Sequence, residues 1–116
     1  MNNRDEILLS KIIQYVDEIT ITVERYQLDY DKFVADFVVK NAIAMCILQI
    51  GELVGKLSDD LKLKYNAMPW NSIKALRNIA AHSYGEIDLE ILRETATSDV
   101  FVLKDYCQKI TVEGME

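Results

Sequence analysis

Proline and glycine are almost missing from this chain: one and four among 116 residues. A turn-rich β-sandwich or barrel needs more of both, so neither fits. Histidine occurs once, and the two cysteines, Cys46 and Cys107, lie far apart in apolar surroundings. No zinc-type ligand spacing results, and neither a metal nor a cofactor is expected. The two thiols read as free and buried, which suits a reducing cytosol. Basic residues are the minority, with 13 Lys and Arg against 19 Asp and Glu and a formal charge of −6. Phosphates repel such a surface, so the chain is a poor generic binder of nucleic acid or anionic lipid. No DNA and no membrane are expected as partners, and any RNA must be met by a local site. The N-terminus MNNRDEILLSK lacks an apolar run with a small-residue cleavage site. The apolar-rich stretch from Phe33 to Val54 is broken by Asp36, Lys40, Asn41, Gln49 and Glu52, and is expected to fall short of a membrane span. Together these features predict one cytoplasmic domain over residues 1–116.

What is abundant is apolar residues at helical spacing, half of the chain being hydrophobic. Leu8, Ile12, Tyr15, Val16, Ile19, Val23 and Tyr26 recur at three- and four-residue steps. That stripe predicts an amphipathic helix over about residues 4–27. A polar turn follows, and Asp31 is expected to cap a second helix over about 32–57. Val34, Phe37, Val38, Met45, Leu48, Val54 and Leu57 are its expected core. This helix is apolar on much of its circumference, so it should sit centrally or bury a second face against another chain. Ser58-Asp59-Asp60 ends it and caps a short helix near Leu61–Asn66. Pro69 marks a turn, and Trp70-Asn71 opens a fourth helix that runs to about His82. Gly85 breaks that helix. Asp88 caps the last one, with Leu89, Leu92, Leu103, Tyr106 and Ile110 inward and Thr95–Asp99 as its weakest part. The fold class is all-α: an up-and-down bundle of four main helices and one short one. Gly51 and Gly55, four apart, would let another helix approach closely.

One stretch gathers unusual chemistry: Arg77-Asn78-Ile79-Ala80-Ala81-His82-Ser83-Tyr84. Arg77 and His82 sit about 140° apart on an ideal helix, so both reach one ligand only if the helix ends near His82. Ser83, Tyr84 and Gly85 supply that ending. An imidazole takes or gives a proton near neutral pH, and a guanidinium grips phosphate through two N–H groups. These groups suit RNA cleavage by its own 2′-hydroxyl without metal. One histidine cannot serve as both acid and base, so two chains with facing helix ends make a dimer-interface site attractive. The plainer account is a helix-terminal His favoured by the helix dipole, and an Arg paired with Glu52.

The ordered set Arg77-Asn78-x-x-x-His82-x-Tyr84, preceded by Asn41-Ala42, Ile50-Gly51-Glu52-Leu53, Lys56-Leu57-Ser58 and Pro69-Trp70-Asn71, and followed by Gly85-Glu86-Ile87-Asp88, resembles the HepT-like ribonuclease family of the HEPN superfamily. The resemblance covers nearly the whole chain. It implies a helical homodimer that is the toxin of a two-gene, type VII-like toxin–antitoxin system. It also implies a metal-independent endoribonuclease acting on tRNA or mRNA, with Arg and His meeting across the dimer cleft. The implied antitoxin is a minimal nucleotidyltransferase that transfers AMP from ATP to the motif tyrosine. Carried over, Arg77 would hold the scissile phosphate, His82 would move protons and Tyr84 would be adenylylated. Asn78 would support the site, and Glu52 would orient Arg77. Ser83 stands where the family often has Gly, and Ile79-Ala80 where a basic or larger pair is common. This lower local charge keeps an alternative open: a catalytically inactive helical partner of a nucleotidyltransferase, with Tyr84 merely its substrate.

Overall fold

A computed structural model describes residues 2–25, 31, 35–74 and 94–114, and among these the chain is all-α. Five helices are described: α1 (Asn3–Arg25), α2 (Phe37–Lys56), α3 (Asp59–Lys64), α4 (Trp70–Lys74) and α5 (Val100–Gly114). A π-helical turn, Thr95–Asp99, leads into α5.

The α1 stripe buries as predicted. Leu8, Ile12, Val16 and Ile19 are in the core, and Tyr15 and Val23 pack against it. Tyr26 lies outside the described residues. Leu9, which the stripe did not include, is also fully buried. Its inward position follows from neighbours on two sides, since α1 packs on both α2 and α5.

Two expectations for α2 are corrected by the structure. Its cap is Asp36, not Asp31: the Asp36 carboxylate accepts from the backbone N–H groups of Val38 (3.0 Å) and Val39 (3.3 Å). Asp36 has the extended backbone an N-cap requires, whereas Asp31 is itself helical. The inward face is also rotated from the expected one. Val39, Ile43, Ile47, Ile50 and Val54 are buried, while Phe37, Val38 and Met45 are 69%, 61% and 50% exposed. A helix apolar nearly all round has no unique phase in sequence, and the isoleucine row decided it by packing on α1. Val54 and Leu57 are buried as expected, and Leu48 packs at the core's edge. Val34 lies outside the described residues. A third correction concerns length: α2 is, by length and composition, long and apolar enough to cross a membrane, despite its polar interruptions. Its buried face is the central packing surface of the bundle, meeting α1 and α4.

Sharp corners follow. Leu57 closes α2 with its N–H on Val54 O, and the Ser58 hydroxyl caps α3 by accepting from Leu61 N–H at 3.2 Å. The short helix thus forms two residues earlier than expected, on the predicted cap. Asp5 of α1 reaches across, almost fully buried, and accepts from both Ser58 N–H (3.0 Å) and Ser58 hydroxyl (2.6 Å). At the other end of the chain, Thr95 and Val100 are both buried though five positions apart. On an ideal α-helix two such positions sit about 140° apart; the wider π turn, bonded from i to i+5, brings them nearer one side. Downstream of it Val100, Leu103, Cys107 and Ile110 form the inward row, so Leu103 and Ile110 behave as predicted and Tyr106 sits beside them, partly buried. Asp88, Leu89 and Leu92 lie outside the described residues, as does Gly85.

Candidate functional site

Arg77, Asn78, His82 and Tyr84 all lie outside the described residues, while Glu52 lies inside them. Glu52 is half-buried on α2 and engaged in a polar interaction. It follows Met45 and Leu48 by seven and four positions, so it belongs to the outward side of the helix rather than to the isoleucine row.

Helix α4, the last described element before Arg77 in the sequence, is firmly held. Pro69 starts it, with Ile73 N–H on Pro69 O at 3.1 Å. Proline suits this position because its missing N–H would have no helical partner there. Trp70 is buried, and its indole N–H donates to Tyr65 O at 3.0 Å. Tyr106 of α5 meets both rings edge-on, with centroids 6.2 Å from Trp70 and 6.4 Å from Tyr65. Edge-to-face pairs of this kind add directional preference to area burial. Burial and a hydrogen bond with Glu113 push the Tyr65 hydroxyl above its usual pKa. One turn after Trp70, Lys74 lays its methylene stem over Gly55, at 3.4 Å from where a Cβ would stand. The expected close approach at Gly55 therefore involves a flexible side chain, not helix backbone.

Beside α4 lies a cleft of about 560 Å³ between α3 and the start of α4, lined by Lys62, Leu63, Asn66, Pro69, Asn71 and Asp59 among others. Sequence spacing gave no sign of it, because α3 and α4 contribute too few residues each to show a face.

The thiols are free. Cys107 is buried, and desolvation pushes its pKa up to about 12. Cys46 is half-buried rather than buried, and desolvation together with nearby Glu18 raises it to about 11. Neither is a nucleophile near neutral pH. Among the described residues no cluster of His, Cys, Asp and Glu is placed to hold a metal ion.

The sequence model of a family described as "Ribonuclease HepT-like" matches residues 10–110. A protein of Methanocaldococcus jannaschii with the provisional name RNase MJ1216 is 29% identical over all of this chain and 97% of its own length. RNase MJ0125 of the same organism, also a provisional name, is 30% identical over 95% of this chain and 94% of its own. A Thermococcus cleftensis protein, provisionally named ribonuclease HepT, is 22% identical over 88% of each chain. No solved structure matches.

Proposed function

The chain belongs to the ribonuclease HepT-like family, and on that premise we propose that it is a metal-independent endoribonuclease, the toxin of a type VII-like toxin–antitoxin pair. The observation that carries this reading is the family match across residues 10–110, which contains the complete Arg77-x4-His82-x-Tyr84 pattern. Residues 1–116 act as one HEPN-like domain, working in the cytoplasm as a homodimer.

In this mechanism the cleft between two subunits holds one sugar–phosphate linkage of a tRNA or mRNA. His82 of one subunit takes the proton of the 2′-hydroxyl, whose oxygen attacks the adjacent phosphorus. The phosphorus–O5′ bond breaks, and the leaving oxygen takes a proton from His82 of the partner subunit. The products are a 2′,3′-cyclic phosphate and a free 5′-hydroxyl. Arg77 neutralises the phosphate oxygens as charge builds on them. Asn78 donates to the same group, and Glu52 orients Arg77. The outward row of Phe37, Val38 and Met45 supports dimerisation, since such a run of exposed apolar side chains on one helix gains from cover. From Phe37 to Gly51 the helix also has no acidic residue, so two acidic subunits meet there without repulsion.

The antitoxin is a minimal nucleotidyltransferase. Tyr84 oxygen attacks the α-phosphorus of ATP, pyrophosphate leaves, and the anionic AMP then fills the cleft and repels RNA. The test compares purified wild type with His82→Ala on tRNA and mRNA in EDTA. Cleavage by wild type alone is expected; equal cleavage by both, or none by either, overturns the assignment.

A further inference from the structure

Charge is not spread evenly along this acidic chain. From Leu61 to Gly85 there is no Asp or Glu, and the stretch carries Lys62, Lys64, Lys74 and Arg77. The three lysines are placed differently. Lys64 sits over the Tyr65 ring at 5.5 Å and lines a cavity with Asp5 and Asp60. Lys62 lines the cleft between α3 and α4 together with Asp59. Lys74 is exposed, and among the described residues its ammonium has no ion-pair or hydrogen-bond partner.

The stem of Lys74, by contrast, is packed. Its Cγ and Cδ stand 3.7 Å, and its Cε 3.4 Å, from where a Gly55 Cβ would be, so the stem lies along the surface of α2. A side chain packed in this way has less rotamer freedom left to lose when its head group binds. Gly55 comes three residues after Glu52 on the same side of α2, and Glu52 is the one member of the candidate site that the described residues include. Lys74 therefore stands within about a helical turn of the candidate site in space. It is close along the chain as well. Arg77 follows three residues later, so their Cα atoms are at most about 11 Å apart whatever path the backbone takes. The helix expected to run to about His82 would set Lys74, Arg77 and Asn78 along one side.

We propose that Lys74 is a further substrate-binding residue of the ribonuclease site, and that its ammonium meets the RNA phosphate next to the one that is cleaved. This role rests on the ribonuclease reading for its substrate. Arg77 is committed to the scissile phosphate, and the strand carries its next negative charge one nucleotide on. A cation with no partner, three residues from Arg77, meets that charge, and no acid from Leu61 to Gly85 offsets it in sequence. The neighbouring phosphate does not change as the scissile one reacts. Lys74 therefore binds ground state and transition state equally, and acts on KM rather than on kcat.

Initial rates of the full-length wild type, Lys74→Gln, Lys74→Arg and Lys109→Gln are measured on a single-stranded RNA of about ten nucleotides, from low to high salt. Losing one lysine–phosphate pairing from a single strand flattens the log–log salt dependence by about 0.7, which is about a fivefold weakening at about 0.1 M salt. Lys74→Gln should raise KM about fivefold there, flatten its salt dependence by about 0.7 and leave kcat within about twofold of wild type. Lys74→Arg keeps the charge and should restore both quantities. Lys109→Gln, on the exposed side of α5, should change neither. If wild type cleaves RNA while Lys74→Gln keeps its KM and salt slope, or loses kcat alone, the role of Lys74 is overturned and the ribonuclease reading stands. An equal rise of KM in Lys109→Gln, or no restoration by Lys74→Arg, overturns that role in the same way. No cleavage by wild type overturns the ribonuclease reading, and the role of Lys74 with it.

Discussion

Replacing Asp5 with Ala removes both acceptors that hold Ser58, a residue 53 positions away. Asp5 is 2% exposed, and water reaches its place only through the cavity of about 320 Å³ that Asp5 and Ser58 help to line. The Ser58 N–H is left without its partner, and the hydroxyl is deprived of a 2.6 Å bond while still capping α3 through Leu61 N–H. A hydrogen bond to a charged group contributes roughly 1.5–3 kcal/mol, and two at one site overlap, so the destabilisation should be about 3 kcal/mol. For a domain of this size that corresponds to a fall of about 12 °C in the melting midpoint. Asp5→Asn keeps one acceptor for the N–H and should cost about half as much. Urea unfolding followed by circular dichroism gives the numbers, with an unchanged m-value showing that the denatured state is unaltered. Ser58→Ala removes the same side-chain pairing and the α3 cap, and the double variant should cost at least about 1 kcal/mol less than the two single effects added. A destabilisation under about 0.5 kcal/mol for Asp5→Ala, or strict additivity, would refute the idea that this pair locks α1 to the α2–α3 corner.

Other substitutions probe the remaining interactions. Trp70→Phe keeps an aromatic ring against Tyr106 but deletes the indole bond to Tyr65 O, and should cost about 1 kcal/mol by the same urea assay. Gly55→Ala should stabilise by about 0.5 kcal/mol, since Ala favours helix and its Cβ meets only the movable Lys74 stem. Because the buried Cys107 thiol has a folded pKa near 12 against an ordinary 9, its unfolded form ionises first as pH rises. Its stabilising share is complete below pH 9 and is lost toward pH 12, so stability should fall by about 1 kcal/mol by pH 10 and fall less in Cys107→Ala. Val38→Glu with Met45→Glu puts acids on the outward α2 row; on the proposed dimer, sedimentation should show two copies together for wild type and single copies for the variant.

The α1 stripe, the Ser58 cap, the Pro69-Trp70 helix start and the irregular Thr95–Asp99 segment were all legible, because each has a local cause. A repeat of apolar side chains, a hydroxyl before a helix, a fixed φ and a β-branched, polar run act within a few residues. The inward face of α2 was not legible. With Phe37, Val38, Ile43, Met45, Ile47 and Leu48 all apolar, every phase of the helix looks buried, and only neighbours from distant parts of the chain choose one. Asp5 was invisible for a related reason. A lone aspartate in a first turn reads as a dipole partner until Ser58 is brought beside it. Of the candidate site, the eight letters from Arg77 to Tyr84 lie outside the described residues and remain a reading of the sequence, while Glu52 is placed on the outward side of α2.

Net charge and the distribution of charge along the chain carry different information. Screening at physiological salt limits the reach of an exposed charge to about 8 Å. A bound phosphate therefore senses the charges within that reach and hardly senses acids elsewhere on the molecule. The sum over the chain predicts repulsion; the sum over the Leu61–Gly85 segment predicts attraction. The same arrangement keeps the number of phosphates engaged small, and affinity should fall with salt less steeply than for a strongly basic nuclease.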